Sequence, residues 1–434
     1  MGNLRRRSAS VLPSAGIALL VWGCSGGSTP SGGPTQTGPI SVGMIAPFTG
    51  PAAEFGGLIG APCYAATGLI NKAGGVMGRH LNCVPIDDTG DPADAVPNVT
   101  RAIATTPNFD MAEGLETNTA ATTVPLVNNA KIPFVTADGL TSFSHTTDKY
   151  FWRLTASDDL NGAAFAVWAV QKGYKAPAVV FESDIGSEGN LPGIMAALPK
   201  LGGKLVDNET IPANAASYSS VVARVIAKKP DVLIFSANPQ TSATFLSEYK
   251  QLNNGVLPPM VTATDSITPD FFGPVSRVVG TDYVTHDIFF VGSSFSHDTP
   301  AFATYIAALR ADSRVPQPDT VGAVGPPGSL YDGINILALA MIEAKSTIGT
   351  VYNGYVADLL KPKSGAVVVH NFADGKAALG QGKAIRYVGV VGEVTFNKYH
   401  NTTGDFSASV FNADGSGGTA VGTISGAQVL KLVG

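Results

Sequence analysis

The chain has 434 residues, more than one compact core usually holds, with 50 Gly, 29 Pro, 44% apolar and 14% charged residues and a formal net charge of −5. That composition excludes a disordered chain, which would lack the apolar residues needed to build a core. Net acidity without a downstream Lys/Arg cluster argues against a nucleic-acid partner.

At the N-terminus, Arg5, Arg6 and Arg7 precede a short apolar run at residues 11–22 that contains Pro13. A membrane-spanning helix needs about 20 apolar residues, so this run is too short to stay in a bilayer. Positive residues, a short apolar stretch and small residues at a break are the three regions of a secretory signal, placed here at 1–23. Val21-Trp22-Gly23-Cys24 resembles the bacterial lipobox, in which the Cys is lipidated and becomes the new N-terminus. The expected location is therefore outside the cytoplasm, lipid-anchored through Cys24 to the outer face of the cell membrane, with plain secretion as the alternative. A chain starting at Cys24 carries 25 basic and 33 acidic residues, a formal net charge of −8. Residues 24–39 are rich in Gly, Ser, Pro and Thr, the composition of a flexible tether reaching about 20 Å. Two cysteines remain, Cys63 and Cys83. An oxidising compartment permits them to pair, and two separate buried thiols are the other possibility.

Folded structure is predicted to begin at ISVGMIA, a short apolar strand from residue 40. The following segment through LINK has helical apolar spacing and stops at Gly74-Gly75. LNCVPIDD reads as a strand ending in two acids, and DPADAVPNVTRAIATT as a helix opened by Asp91 and Pro92. The alternation continues through IPFVTAD, APAVVFESD, DVLIFSAN and PPMVTATD, which implies α/β architecture with parallel sheets and helices on both faces. Ligands of such sheets bind at the carboxyl ends of the strands. Those ends carry polar clusters here: residues 47–50, 87–88, 116–119, 136–138, 182–184, 236–238 and 264–266. The tail departs from the alternation: VTFNKYHNTTGDFSASVF reads as two strands around Asn-Thr-Thr-Gly.

The opening ISVGMIAPFTGPAAEFG, followed by LINKAGGVMGRHLNCVPIDDTGDPADAV, closely resembles the leucine/isoleucine/valine-binding proteins of bacterial ABC importers, the type I periplasmic binding fold. The resemblance continues more weakly through SLYDGINILALAMIEA and VGEVTFN. It implies two Rossmann-like lobes joined by three crossovers, expected near 154–158, 282–287 and 389–394. The N-terminal lobe would comprise 40–156 and 286–392, and the C-terminal lobe 157–285 and 393–434. In that topology the helix carrying Cys63 packs beside the strand carrying Cys83, so a disulfide is expected, worth about 3 kcal/mol for a loop of this size.

A free α-amino acid needs hydroxyl and N–H donors for its carboxylate and an acid for its ammonium. The resemblance places Thr117, Asn118 and Thr119 among the carboxylate donors, Asp138 and Gly139 at a second donor loop, Asp265 at the ammonium site and Phe55 on the cleft wall. Asp184 and Asn238 stand at the second lobe's strand ends. Two aromatic contacts expected of the family are replaced by Gly186 and Asn238, and Glu116 adds negative charge beside the carboxylate donors. Leucine therefore fits less well than another small polar or zwitterionic solute. The implied function is capture of such a solute, a branched-chain or related amino acid, by a monomer that delivers it to an ABC permease in the membrane. A ligand sensor on the same fold is the alternative. Catalysis finds no support: His80, His145, His286, His297, His370 and His400 form no H-E-x-x-H pair, and G-x-S-x-G and P-loop spacings are missing. No cofactor or metal is expected, since DDTGDPAD lacks the alternating acids of a calcium loop.

Overall fold

The computed structural model describes residues 37–50, 52–136, 138–294, 297–402 and 404–433. The expected signal peptide, Cys24 and the expected linker up to residue 36 lie outside the described residues. The first sheet is built from β1 (Ile40–Ala46), β2 (Leu81–Asp87), β3 (Phe109–Gly114), β4 (Phe134–Thr136) and β5 (Phe151–Arg153). Its spatial order is β2-β1-β3-β4-β5, with every pairing parallel. All seven residues of β1 are buried, as expected for a central strand covered on both faces. Between β1 and β2 runs the helix Glu54–Lys72, which ends where Gly74 and Gly75 take positive φ and turn the chain back. This helix places Cys63 beside Cys83 of β2, and the two form the expected disulfide with Cα atoms 6.1 Å apart.

The second sheet begins with β6 (Pro177–Glu182), β7 (Asp207–Ile211), β8 (Val232–Ser236), β9 (Met260–Ala263) and β10 (Ile288–Ser293). A small parallel pair, β11 (Val367–Val369) with β12 (Ile385–Tyr387), lies apart from it. The chain then adds β13 (Phe406–Phe411) and β14 (Gly418–Ile424), giving the order β14-β13-β10-β9-β8-β6-β7. β6 to β10 pair in parallel, while β13 and β14 are antiparallel. No single helix among the described residues is long and apolar enough to cross a membrane. The apolar helix Gly325–Ala344 is buried in the first lobe, where it packs against the helix Glu54–Lys72 and the first sheet.

The chain passes first from one sheet to the other at residues 154–157, between β5 and the helix Asp158–Gln171. The second passage differs from the expected 282–287. Those residues belong to the helix Thr281–His286, which Val284 and the Tyr283–Pro258 hydrogen bond (2.6 Å) tie to the second lobe. β10 then pairs with β9, so residues 286–293 belong to the second lobe, and the crossing follows Ser293. The third passage also lies later than 389–394. Arg153 N–H donates to the His400 carbonyl and Thr402 N–H to the Arg153 carbonyl, each at 3.0 Å, so residues 393–402 stay with the first sheet and the chain crosses only at 402–405. Asn401 and Thr402, at the head of Asn-Thr-Thr-Gly, consequently lead into a crossing and not a hairpin turn. The hairpin joins β13 to β14 around residues 412–417, where the Asp414 carboxylate accepts from Ser416 N–H (3.0 Å) and Gly415 takes φ +72°. The three crossings are neighbours: Ser293 Oγ accepts from Ala156 N–H (3.3 Å) and Ser294 N–H donates to the Asp405 carbonyl (2.8 Å).

Candidate functional site

The carboxyl ends of both parallel sheets open onto one cavity of about 790 Å3, the position at which α/β sheets hold ligands. The first lobe lines it with the segment after β1, with Glu116, Thr117 and Asn118 after β3, and with residues between Pro316 and Leu330. The second lobe lines it with Asp158 and Asn161 at the start of their helix, residues 182–187 and Asn190 after β6, Ser236–Pro239 after β8, and Asp265 to Phe271 after β9.

Of the residues selected from the sequence, Phe55, Thr117, Asn118, Asp184, Asn238 and Asp265 come together around this cavity. Thr119, Asp138 and Gly139 do not line it, because each is committed to the protein's own hydrogen bonds. Thr119 is fully buried and its hydroxyl donates to Asp88 (2.9 Å). Asp138 is buried against Arg153 (3.5 Å) and accepts from the Thr136 hydroxyl (2.9 Å) and Leu140 N–H (3.0 Å). Gly139 gives its N–H to the Thr117 hydroxyl (2.8 Å) and its carbonyl to Asp158 N–H (2.7 Å). A β-carbon at Gly139 would lie 1.7 Å from an Asp158 carboxylate oxygen, so only glycine leaves room for that side chain.

Glu116 explains why the expected carboxylate site is changed. The preceding Leu115 is buried in the left-handed region (φ +54°), a strained conformation for a non-glycine residue. Glu116 then caps the helix Thr117–Asn129, its carboxylate accepting from Asn118 N–H (2.8 Å) and Thr119 N–H (3.2 Å). The protein thus supplies its own carboxylate where a ligand's could have docked. Burial, with Asp88 nearby, pushes the Glu116 carboxyl up to about 7. In the second lobe, Asp184 caps the helix Ile185–Gly189 by accepting from Ser187 N–H (2.9 Å). Asn238 caps the helix Pro239–Leu252 through Thr241 N–H (2.9 Å) and donates from its side-chain amide to Glu182 (2.9 Å). Asp265 sits in the turn Thr264–Ser266, where burial and then the charge of Asp184 push its carboxyl up to about 6.

Sequence reasoning missed Asp158, Asn161 and Asn190. Asp158 opens the helix Asp158–Gln171, and its carboxylate is wedged against the backbone of Gly139 and Gly189. Burial, then Asp138, drive its carboxyl well above the usual carboxylate range, with Arg153 opposing. The only signal was the acid pair in SDDLNG, which the crossover reading had absorbed. The Gly186 departure is visible too: a β-carbon there would lie 4.0 Å from the Thr117 side chain of the opposite lobe, so a larger residue would reach into the mouth of the cleft.

Two α/β lobes joined by three adjacent crossings, with one shared cavity at their strand ends, define a bilobed ligand-binding fold. The chain belongs to the periplasmic binding protein family: the family model described as "Periplasmic binding protein" matches residues 39–350. Among curated relatives, it is 27% identical over 209 residues to the Leu/Ile/Val-binding protein BraC3 of Rhizobium johnstonii, covering 45% of this chain and 54% of the relative. The chain therefore spans about half the length of that relative. Among solved structures, it is similar to the branched-chain amino acid transporter substrate-binding protein LivJ of Streptococcus pneumoniae in complex with isoleucine. That match has a TM-score of 0.67 and 17% identity, over 89% of this chain and 99% of LivJ. An R. palustris ABC-transporter solute-binding protein in complex with benzoate matches with a TM-score of 0.66 and 18% identity, over 89% of this chain and 97% of that one. At these identities the solved structures speak to the fold.

Proposed function

We propose that the chain is an extracytoplasmic solute-binding protein of an ABC importer, closing its lobes over a small polar solute, an amino acid or a related compound, and handing it to a membrane permease. The observation that carries this reading is a cavity walled by both lobes at the ends of their parallel strands, beside three adjacent crossings. A solute touching both walls stabilises the state in which they approach, and that state is what a permease can recognise. Phe55, Thr117, Asn118, Asp184, Asn238 and Asp265 are the proposed contacts from the sequence-selected set. The protein acts as a binder rather than a catalyst, as a monomer. Removal of residues 1–23 and lipidation of Cys24 would tether it to the outer face of the membrane, within reach of its permease.

Native mass spectrometry of freshly purified protein should reveal a co-purifying small molecule, and a thermal-shift screen of amino acids, amides and amines should identify stabilisers. A protein that carries nothing and is stabilised by nothing would refute solute binding. Loss of uptake in a deletion strain separates import from sensing. Metabolic lipid labelling lost on Cys24→Ala tests the anchor.

A further inference from the structure

We propose that the solute is an organic amine with net positive charge and an aliphatic body, and no free carboxylate. This rests on the solute-binding reading and names its ligand class. Six acids line the cavity, Glu116, Asp158, Glu182, Asp184, Asp265 and Asp270, whereas no described lining residue is Lys, Arg or His. An anionic group entering this space would meet like charge without compensation.

The hydrogen-bonding inventory points the same way. Of the helix N-termini that reach the cavity, those of Thr117–Asn129, Ile185–Gly189, Pro239–Leu252 and Pro269–Val279 are capped by the protein's own side-chain oxygens, from Glu116, Asp184, Asn238 and Thr268. At those four helix starts the cap occupies backbone donors that could otherwise hold a carboxylate. The second lobe's wall adds unpartnered acceptors. Asp158 is 8% exposed and Asn190 5%, both line the cavity, and Asp158 Oδ2 and Asn190 Oδ1 are buried without a hydrogen-bond partner. Asn161 Oδ1 is a third unpartnered acceptor on the same wall. Buried acceptors without partners are costly, and an ammonium supplies three donors with the charge to match.

A metal ion fits poorly, because no group of three or more His, Cys, Asp or Glu side chains among the described residues converges as ligands would. An organic cation spreads its charge and donors over a longer span. The opposite wall offers Phe55, Leu58, Val321, Pro326, Pro327 and Leu330, an apolar surface for a hydrocarbon body. Burial, and after it the neighbouring acids Asp184 and Asp88, push the carboxyls of Asp265 and Glu116 up, and a positive charge placed beside them would favour their ionised forms.

The test compares probes that differ in charge on one skeleton. Titration calorimetry of the purified full chain at pH 7.5 would use L-leucine, 3-methylbutylamine (leucine without its carboxylate), 1,5-diaminopentane and benzoate. The amines should bind, 3-methylbutylamine at least about 10-fold more tightly than leucine, with no heat from benzoate. Leucine or benzoate binding as tightly as the amines overturns the charge assignment while leaving solute binding intact. No binding of any probe, together with an empty thermal-shift screen, overturns both. Asp158→Asn should weaken amine binding by roughly 100-fold, as expected when a buried ion pair loses one member. Glu116→Ala, which frees Asn118 and Thr119 N–H, should narrow the gap between amine and leucine; an unchanged ratio counts against the role given to Glu116.

Discussion

The two walls of the cavity come from similar sheets and carry different chemistry. The first lobe presents Phe55, Leu58, Val321 and Leu330 from its helices, and the second presents Asp158, Glu182, Asp184, Asp265 and Asp270 from its strand ends and the helix starts that follow. Apolar contact is non-directional and tolerant of shape, while buried carboxylates are costly unless partnered. The comparison teaches that the two lobes divide the work: the first shapes the space, and the second decides which charge may fill it. Glu116 is the exception, an acid delivered by the first lobe into the N-terminus of its own helix.

If that division holds, the largest effect on binding comes from the acidic wall. Asp265→Ala should cost about 3–5 kcal/mol of ligand affinity, the range for removing one member of a buried ion pair. Calorimetry giving unchanged affinity would remove Asp265 from the site. Behind the apolar wall, the Cys63–Cys83 bond should contribute about 3 kcal/mol to stability, so the double Ser variant should unfold at lower denaturant with a cleft that still binds. Loss of binding without loss of stability would contradict that separation.

A smaller effect appears in the pH dependence of the ligand-free protein. Asp265 rises from 3.8 to about 6 and Glu116 from 4.5 to about 7 on folding, both chiefly through burial. The folded chain thus holds these protons more tightly than the unfolded one. The resulting stability is complete below about pH 4 and is lost as pH rises through 6 to 7. A melting temperature that climbs across this window at fixed salt would refute it. The smallest change belongs to the apolar wall: Phe55→Ala should weaken binding by about 1 kcal/mol, the size of a partly buried ring contact. An effect equal to that of Asp265→Ala would erase the distinction between the walls.

Much of this was readable in order along the chain. Alternating apolar strands and helices announced the parallel sheets, because a strand covered on both faces must be apolar throughout, as β1 is. Asp91 before Pro92 announced a helix start, and Asp91 does cap it, accepting from Ala93 N–H. The crossings were harder. A polar run such as TDYVTHD looks like a connector, and only its packing against β10 and β13 makes it part of the second lobe. Asn-Thr-Thr-Gly resembles a turn locally, yet Asn401 pairs with Arg153 of the first sheet.

The site divided in the same way. Asp184 and Asn238 could be chosen because strand ends are where such sheets hold ligands, and Phe55 and Asp265 through the family resemblance. Whether a given donor remained available for a ligand depended on partners far away in sequence. Thr119 is bound to Asp88, Gly139 to Thr117, and Asp158 lies against Gly139 and Gly189. By itself the sequence determined the periodicity of the elements, the leader-like N-terminus and which residue types stand at the strand ends, since these depend on neighbours a few positions apart. Tertiary structure alone decided that Thr119, Asp138 and Gly139 are committed to internal partners and that the second wall is left with unpartnered acceptors, because hydrogen-bond saturation is settled between residues that meet only when the chain has folded.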